Sequence, residues 1–274
     1  MKKFLLIILI PVGFISCYSP RYVYSPATQN IPLLKQKNDV EAAVFYAGSY
    51  NLLASRENYN RGLDLHAAYA VSDHVGLMLN ESIRWERNGN SETHPRDSSS
   101  LFYKRHFTEA GIGYFTDLGK SSKSQFQVFG GMAFGKSNIS DHGIFSGTQM
   151  QKFHNSTVTK IFIQPALIGN FSQNFSLAFA SRITMAYFSN IQSNYTSEEL
   201  QDYQLDSLSL SPLIFWEPAL NLTFGFQDVP VKFRFQMALS VLVSKHFYWH
   251  RNSNIGFGVV YDFKSLKRKS IKQN

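Results

Sequence analysis

The side chains of this chain that are able to do chemistry sit at alternate positions in apolar segments. Between Leu213 and Val243, Glu217 and Asn221 share a parity in a first arm, and Lys232 and Arg234 share one in a second. Gln164 and Arg182 occupy the same kind of position upstream, as do Asp64, His66, Arg84, Arg105, Glu109 and Lys160. On an extended chain, residues two apart point to one face. Arg182, Glu217, Arg234, Lys232, Asn221 and Gln164 therefore form the candidate cluster of an enclosed interior. Charges of both signs in a low-dielectric space pair with one another. Such a set would act as a structural plug of salt bridges, line a narrow polar path, or hold a lumenal ligand.

Catalysis asks for a nucleophile or water-activating group with a base and an orienting partner. The segments between apolar stretches offer His94 with Asp97, Asp141 with His142, His154, and His246 with His250, none at a signature spacing. His246 and His250 would share a face only on a helix, and they follow an extended stretch. The sequence has no EF-hand, phosphate loop or Cys/His cluster. No enzyme, metal or cofactor is expected.

Long strands must position these groups. Val231, Phe233, Phe235, Met237, Leu239, Val241 and Val243 alternate with Lys232, Arg234, Gln236, Ala238, Ser240 and Leu242, a period of two. Ile214, Trp216, Pro218, Leu220, Leu222, Phe224 and Phe226 do the same before a turn at 227–230. Each arm matches the ~9–11 residues with which a tilted strand crosses a bilayer. Ten strands are expected, near 40–50, 61–71, 74–87, 102–116, 124–136, 156–171, 174–188, 212–226, 230–243 and 254–263. Short connections near 72–74, 117–123, 172–174 and 227–230 alternate with long ones near 51–60, 88–101, 137–155, 189–211 and 244–253. That is the division between periplasmic turns and extracellular loops. The expected fold is all-β: an antiparallel up-and-down transmembrane β-barrel of about ten strands over 39–263. A soluble lipocalin-like barrel has the same period with its faces reversed. Ala178, Ala180, Gly225 and Ala238 on the polar face suit a crowded interior, which favours the membrane form. Pro165 and Pro218 occur in similar runs within two strands and predict a bulge or kink in each.

Met1-Lys2-Lys3 and the apolar run Phe4 to Ile15 read as a secretory signal over 1–16. It ends in Phe14-Ile15-Ser16-Cys17, which resembles the bacterial lipobox. The resemblance implies that Cys17, the only cysteine, carries acyl chains such as palmitate. Residues 17–38 lack periodicity and are expected to form a lipidated linker or to fold against the periplasmic mouth. Surface-exported lipoproteins of some Bacteroidota carry acidic residues after the cysteine. This chain has Tyr-Ser-Pro-Arg there, so the resemblance puts the anchor on the periplasmic side. Loss of Lys2 and Lys3 lowers the formal charge from +8 to +6. A basic mature chain suits anionic lipid headgroups, and the tail 264–274 adds Lys264, Lys267, Arg268, Lys269 and Lys272. No nucleic-acid partner is expected, since no basic helix or binding motif is present.

The terminus Val259-Val260-Tyr261-Asp262-Phe263 resembles the aromatic signal by which outer-membrane barrels are recognised for insertion. Asp141-His142 resembles the acidic and histidine residues of ten-stranded outer-membrane proteases in composition alone. As a whole, Cys17 through Phe263 resembles a Bacteroidota group of outer-membrane β-barrel lipoproteins without assigned function. The resemblance implies the outer membrane of a Gram-negative cell, with membrane lipids and a covalent lipid anchor as partners. An extracellular ligand or protein would be bound through the loops. Within 189–211, Thr196 or Ser197 ahead of Glu199 predicts a short capped helix, serving either recognition or as a lid on the rim.

Overall fold

The computed structural model describes residues 20–49, 58–94, 97–119, 123–145, 148–172, 174–226 and 229–263. The strands are β1 (Val40–Gly48), β2 (Asn58–Ala70), β3 (Val75–His94), β4 (Asp97–Leu118), β5 (Ser124–Phe145) and β6 (Thr148–Asn170). They continue with β7 (Phe175–Ser193), β8 (Leu213–Gly225), β9 (Val231–Leu239), β10 (Val241–Leu242) and β11 (Ser253–Asp262), and one helix, α1 (Ser197–Asp202), follows β7. All pairings between neighbours are antiparallel, and β1 closes the ring on β11. β9 and β10 are one strand interrupted at Ser240, since both hold β8 in a single register, Ala219 opposite Ala238 and Trp216 opposite Val241. The result is a closed ten-stranded barrel.

Alternation decides the faces. Leu63 and Leu65 on β2, Ile161 and Ile163 on β6, Phe179 and Ile183 on β7, and Phe233 and Met237 on β9 are exposed on the outside. Asp64, His66, Lys160, Gln164, Arg182 and Arg234, from the same strands, are buried inside. A soluble barrel has the opposite arrangement. Exposed aromatics Tyr69, Tyr114, Phe175, Phe226 and Phe263 rim the short-turn end. Trp85, Tyr187 and Trp216 stand exposed about ten residues further along their strands, one bilayer crossing away. An apolar belt between aromatic girdles, around a polar interior, is the architecture of a transmembrane β-barrel.

The strands lie where the period predicts them, but at the other end four run on. β3 to β6 contain 20, 22, 22 and 23 residues. β3 and β4 pair as far as His94 opposite Asp97, and β5 and β6 as far as Phe145 opposite Thr148. The loops expected at 88–101 and 137–155 are therefore mostly strand. At ~3.3 Å per residue, 22 residues extend ~70 Å, about twice what a tilted crossing uses. The outer face marks where the bilayer stops: beyond Ile112 it turns to Thr108, His106 and Lys104, and beyond Phe134 to Lys136. The apolar period ends at that level, while the hydrogen-bond ladder does not.

Pro165 and Pro218 form no bulge. Ala166 opposite Ala180 keeps the register of Ile163 opposite Ile183, and Pro218 faces Ser181 without a shift. A proline lacks its donor toward one neighbour only. It therefore costs a gap in one ladder, seen between β6 and β7 at Gln164 and Pro165, and between β8 and β9, where Pro218 stands opposite Leu239.

The amino-terminal segment departs furthest from expectation. Residues 20–34 are neither an outside linker nor folded on the periplasmic mouth, because they cross the lumen from end to end. At the long-loop end Tyr103 Oη donates to the Pro20 carbonyl at 3.1 Å. Midway, Thr28 meets Asp64. At the other end Gln125 donates to the Leu34 carbonyl, and Asn38 N donates to the Ala70 carbonyl at 2.9 Å. Pro20, Pro26 and Pro32 keep the segment out of the sheet, apart from one parallel bridge between Tyr24 and His250. Two glycines make room for it. A Cβ on Gly76 would lie 2.8 Å from Leu34 Cδ1, and one on Gly256 would lie 2.5 Å from Thr28 Cγ2. A narrow barrel has to fill its lumen, and this one uses its own chain. Each side of the segment touches wall, which is why it shows no hydrophobic period.

Candidate functional site

The six candidate side chains point into the lumen but do not form one cluster. Arg182 and Glu217 are register partners on β7 and β8. Arg182 nevertheless reaches across the lumen to Glu109 on β4, with Nη1 and Nη2 at 2.9 and 3.1 Å, while its Nε donates to Gln164 at 2.8 Å. The Glu217 carboxylate accepts instead from Tyr24 Oη at 2.8 Å and Thr184 Oγ1 at 2.7 Å. Arg234 pairs with Glu41 on β1 at 2.9 and 3.2 Å and donates to Thr223 at 3.0 Å. Lys232 pairs with Asp262 at 3.1 Å near the short-turn rim. Asn221 is buried on β8 opposite Gln236. Gln164 also donates to the Asn30 carbonyl at 2.8 Å.

Every level of the lumen couples wall to plug. At the long-loop end Arg21 pairs with buried Asp141 and lies 3.8 Å over the Tyr203 ring. Below it, Glu86 accepts from Arg105 and from Arg251 Nε, the latter at 3.0 Å, while Arg105 also donates to the Tyr22 carbonyl. At mid-height Asp64 accepts from Arg84 Nη2 at 2.7 Å and from the Thr28 N–H and hydroxyl at 2.8 and 2.7 Å. Gln236 brackets Gln29, accepting its N–H at 2.6 Å and donating to its carbonyl at 2.8 Å, as a neighbouring strand would. Asn80 links Asn30, at 2.7 Å, to Glu109, at 2.6 Å. Glu41, Glu86, Arg251 and Gln236 escaped the sequence reading: Glu41 pairs with Arg234 on β9, Gln236 with the plug, and Glu86 with Arg105 on the adjacent β4 and with Arg251, which lies outside the strands. Inward parity was the one available signal for Glu41, Glu86 and Gln236.

A cavity of about 20 Å³ lies between plug and wall, lined by Tyr24, His66, Glu109, Lys160 and Glu217 among others. It has room for a water and not for an organic ligand. Lys160 Nζ sits beside it, 3.7 Å from the Phe107 ring centroid.

The 189–211 segment is a lid. β7 continues to Ser193, and α1 starts at an N-cap, Thr196. Thr196 Oγ1 accepts from Glu199 N at 3.2 Å, and Glu199 Oε2 accepts from Thr196 N at 2.8 Å, a capping box. Tyr195, Leu205 and Leu208 bury themselves against Val23, Tyr24, Phe188 and Phe215, closing over the plug. Lys152 on β6 bonds to Glu199. Partial burial works to raise the Glu199 carboxyl, but the bond from Lys152 and the capping N–H of Thr196 outweigh it and hold the carboxyl below its ordinary range. A depressed carboxylate stabilises the fold above its unfolded pKa of about 4.3, and the contribution is lost as pH falls through the folded value. Amide exchange over 197–205, corrected for intrinsic rates, should therefore accelerate below that range. Glu199→Gln should already be fast at pH 7 and stay insensitive to acid. Equal protection of the wild type at both pH values would contradict the assignment.

The histidine pairs do not assemble. Asp141 is buried in the lumen while His142 is exposed outside, as neighbours on a strand must be. His154 is buried on the inner face, and His246 is exposed. His250 lies 3.1 Å from the carbonyls of both Tyr248 and Ser240. His94 and Asp97 are register partners of β3 and β4. Among the described residues, no group of three or more His, Cys, Asp or Glu is placed to hold a metal. Cys17, the signal over 1–16 and the tail 264–274 lie outside the described residues.

No family model matches the chain, and no curated protein matches it in sequence. Solved outer-membrane proteins are similar to it at a low level. An outer-membrane channel of Pseudomonas putida F1 is 10% identical, with a TM-score of 0.39 over 86% of this chain and 100% of that one. Neisserial surface protein A is 11% identical, with a TM-score of 0.31 over 82% and 96%. Ail, the attachment invasion locus protein of Yersinia pestis, is 10% identical, with a TM-score of 0.32 over 84% and 99%. Likeness at this level says nothing about activity.

Proposed function

We propose that the chain is an outer-membrane β-barrel with a structural or recognition role, closed by its own amino-terminal segment. The observation that carries this reading is the reversal of faces, with the apolar belt outside and the salt bridges within. Short turns at one end, and long strands with a lid at the other, support reading the second end as the cell-exterior end. There β3 to β6 stand clear of the belt as a paired wall, the surface on which a ligand or partner protein would dock. The lipobox resemblance at Cys17 adds an acyl anchor to the barrel. A narrow lumenal channel is the second reading, supported by the polar interior; the plug and lid argue against it. A barrel hydrolase finds no support in Asp141 and His142, which face apart.

Membrane fractionation with electrophoresis of unboiled and boiled samples tests the reading. The protein should sediment with the outer membrane and migrate differently after boiling. A soluble product without a shift would overturn it and move the search to a lipocalin-like ligand cavity.

A further inference from the structure

Residues 20–34 cross the lumen antiparallel to β1, with Pro20 bonded to Tyr103 at the long-loop end and Leu34 to Gln125 at the short-turn end. The steps from Pro20 back to Cys17 reach at most about 11 Å, whereas the hydrocarbon core alone is about 30 Å thick. We infer that the chain preceding Pro20 leaves the barrel on the cell exterior, so that Cys17 is presented at the outer leaflet and not in the periplasm. The inference rests on the proposed orientation of the barrel. The threaded path runs against the periplasmic placement expected from the residues after Cys17. Acyl chains on Cys17 then enter the outer leaflet beside the apolar belt.

The passage is built into the wall. Tyr103, Arg105, Gln164 and Gln125 donate to the carbonyls of Pro20, Tyr22, Asn30 and Leu34, while Asp64 and Gln236 accept the N–H groups of Thr28 and Gln29. Withdrawing the segment would leave these buried groups unpaired on both sides.

The test places one epitope between Tyr18 and Ser19, the same epitope after Asp206 in the lid, and again after Lys269 in the tail. Each strain is probed with antibody on intact cells and after outer-membrane permeabilisation, with the boiling shift showing that the barrel has closed. The amino-terminal and lid epitopes should label on intact cells, and the tail only after permeabilisation. An amino-terminal epitope that labels only after permeabilisation, beside a lid that labels on intact cells, overturns the inference and leaves the orientation standing. A hidden lid with a labelled tail overturns the orientation itself, and three hidden epitopes overturn both. Ser19→Cys, probed with a membrane-impermeant maleimide, carries the same test if the insertion prevents closure.

Discussion

Asp64→Ala is expected to destabilise the barrel by about 3–5 kcal/mol, the usual cost of stranding a buried charge. Asp64 is fully buried and satisfies two elements at once, Arg84 on the neighbouring strand and Thr28 on the plug. Truncation leaves the Arg84 guanidinium uncompensated and the Thr28 N–H without an acceptor, while the Thr28 hydroxyl keeps only His66 Nε2 at 3.1 Å. Asp64→Asn retains an acceptor for Thr28 but no charge for Arg84, so it should fall between wild type and alanine. Asp64→Ala combined with Arg84→Met should recover much of the loss, because an apolar pair replaces the stranded charge. Urea titration, followed by loss of the unboiled band, reads the series. An alanine variant within about 1 kcal/mol of wild type would mean that the plug is not held here.

Glu86→Ala should cost at least as much, since one carboxylate serves two cations. Arg105 and Glu86 have side-chain exposures of 1% and 0%, so solvent cannot take over the charge when the partner is removed. Arg251 loses its Nε acceptor as well, and it is the residue that packs 3.8 Å over Tyr22 and donates to Asn88 at 2.8 Å. The variant should therefore loosen the 243–252 segment together with the upper plug, visible as faster amide exchange in both. Lys232→Ala supplies the contrast. Its pair with Asp262 is 23% and 13% exposed, and rim pairs of this kind are worth under about 1 kcal/mol. Equal losses from Glu86→Ala and Lys232→Ala would contradict the burial argument.

The strands were legible because lipid imposes a period on them: Phe233, Phe235 and Met237 could face only one way. What the period reported was the bilayer and not the strand. On β5 the outward face changes from Phe134 to Lys136, so the expected strand stopped there, although the ladder continues to Phe145. Parity likewise showed that Arg182 and Glu217 point inward, but it could not choose their partners. Tyr24 and Thr184 occupy Glu217, so Arg182 finds Glu109 across the lumen, and Tyr24 belongs to a segment with no pattern to read. A chain surrounded by wall on all sides has no solvent face, and amphipathic reasoning needs one.

Conductance in planar bilayers, comparing wild type with a variant lacking residues 20–34, tests the plugged barrel most directly. The account predicts a silent wild type and ion conduction by the variant, both showing the boiling shift of a closed barrel. Steady conduction by the wild type, or a silent variant that still shows the shift, would contradict it.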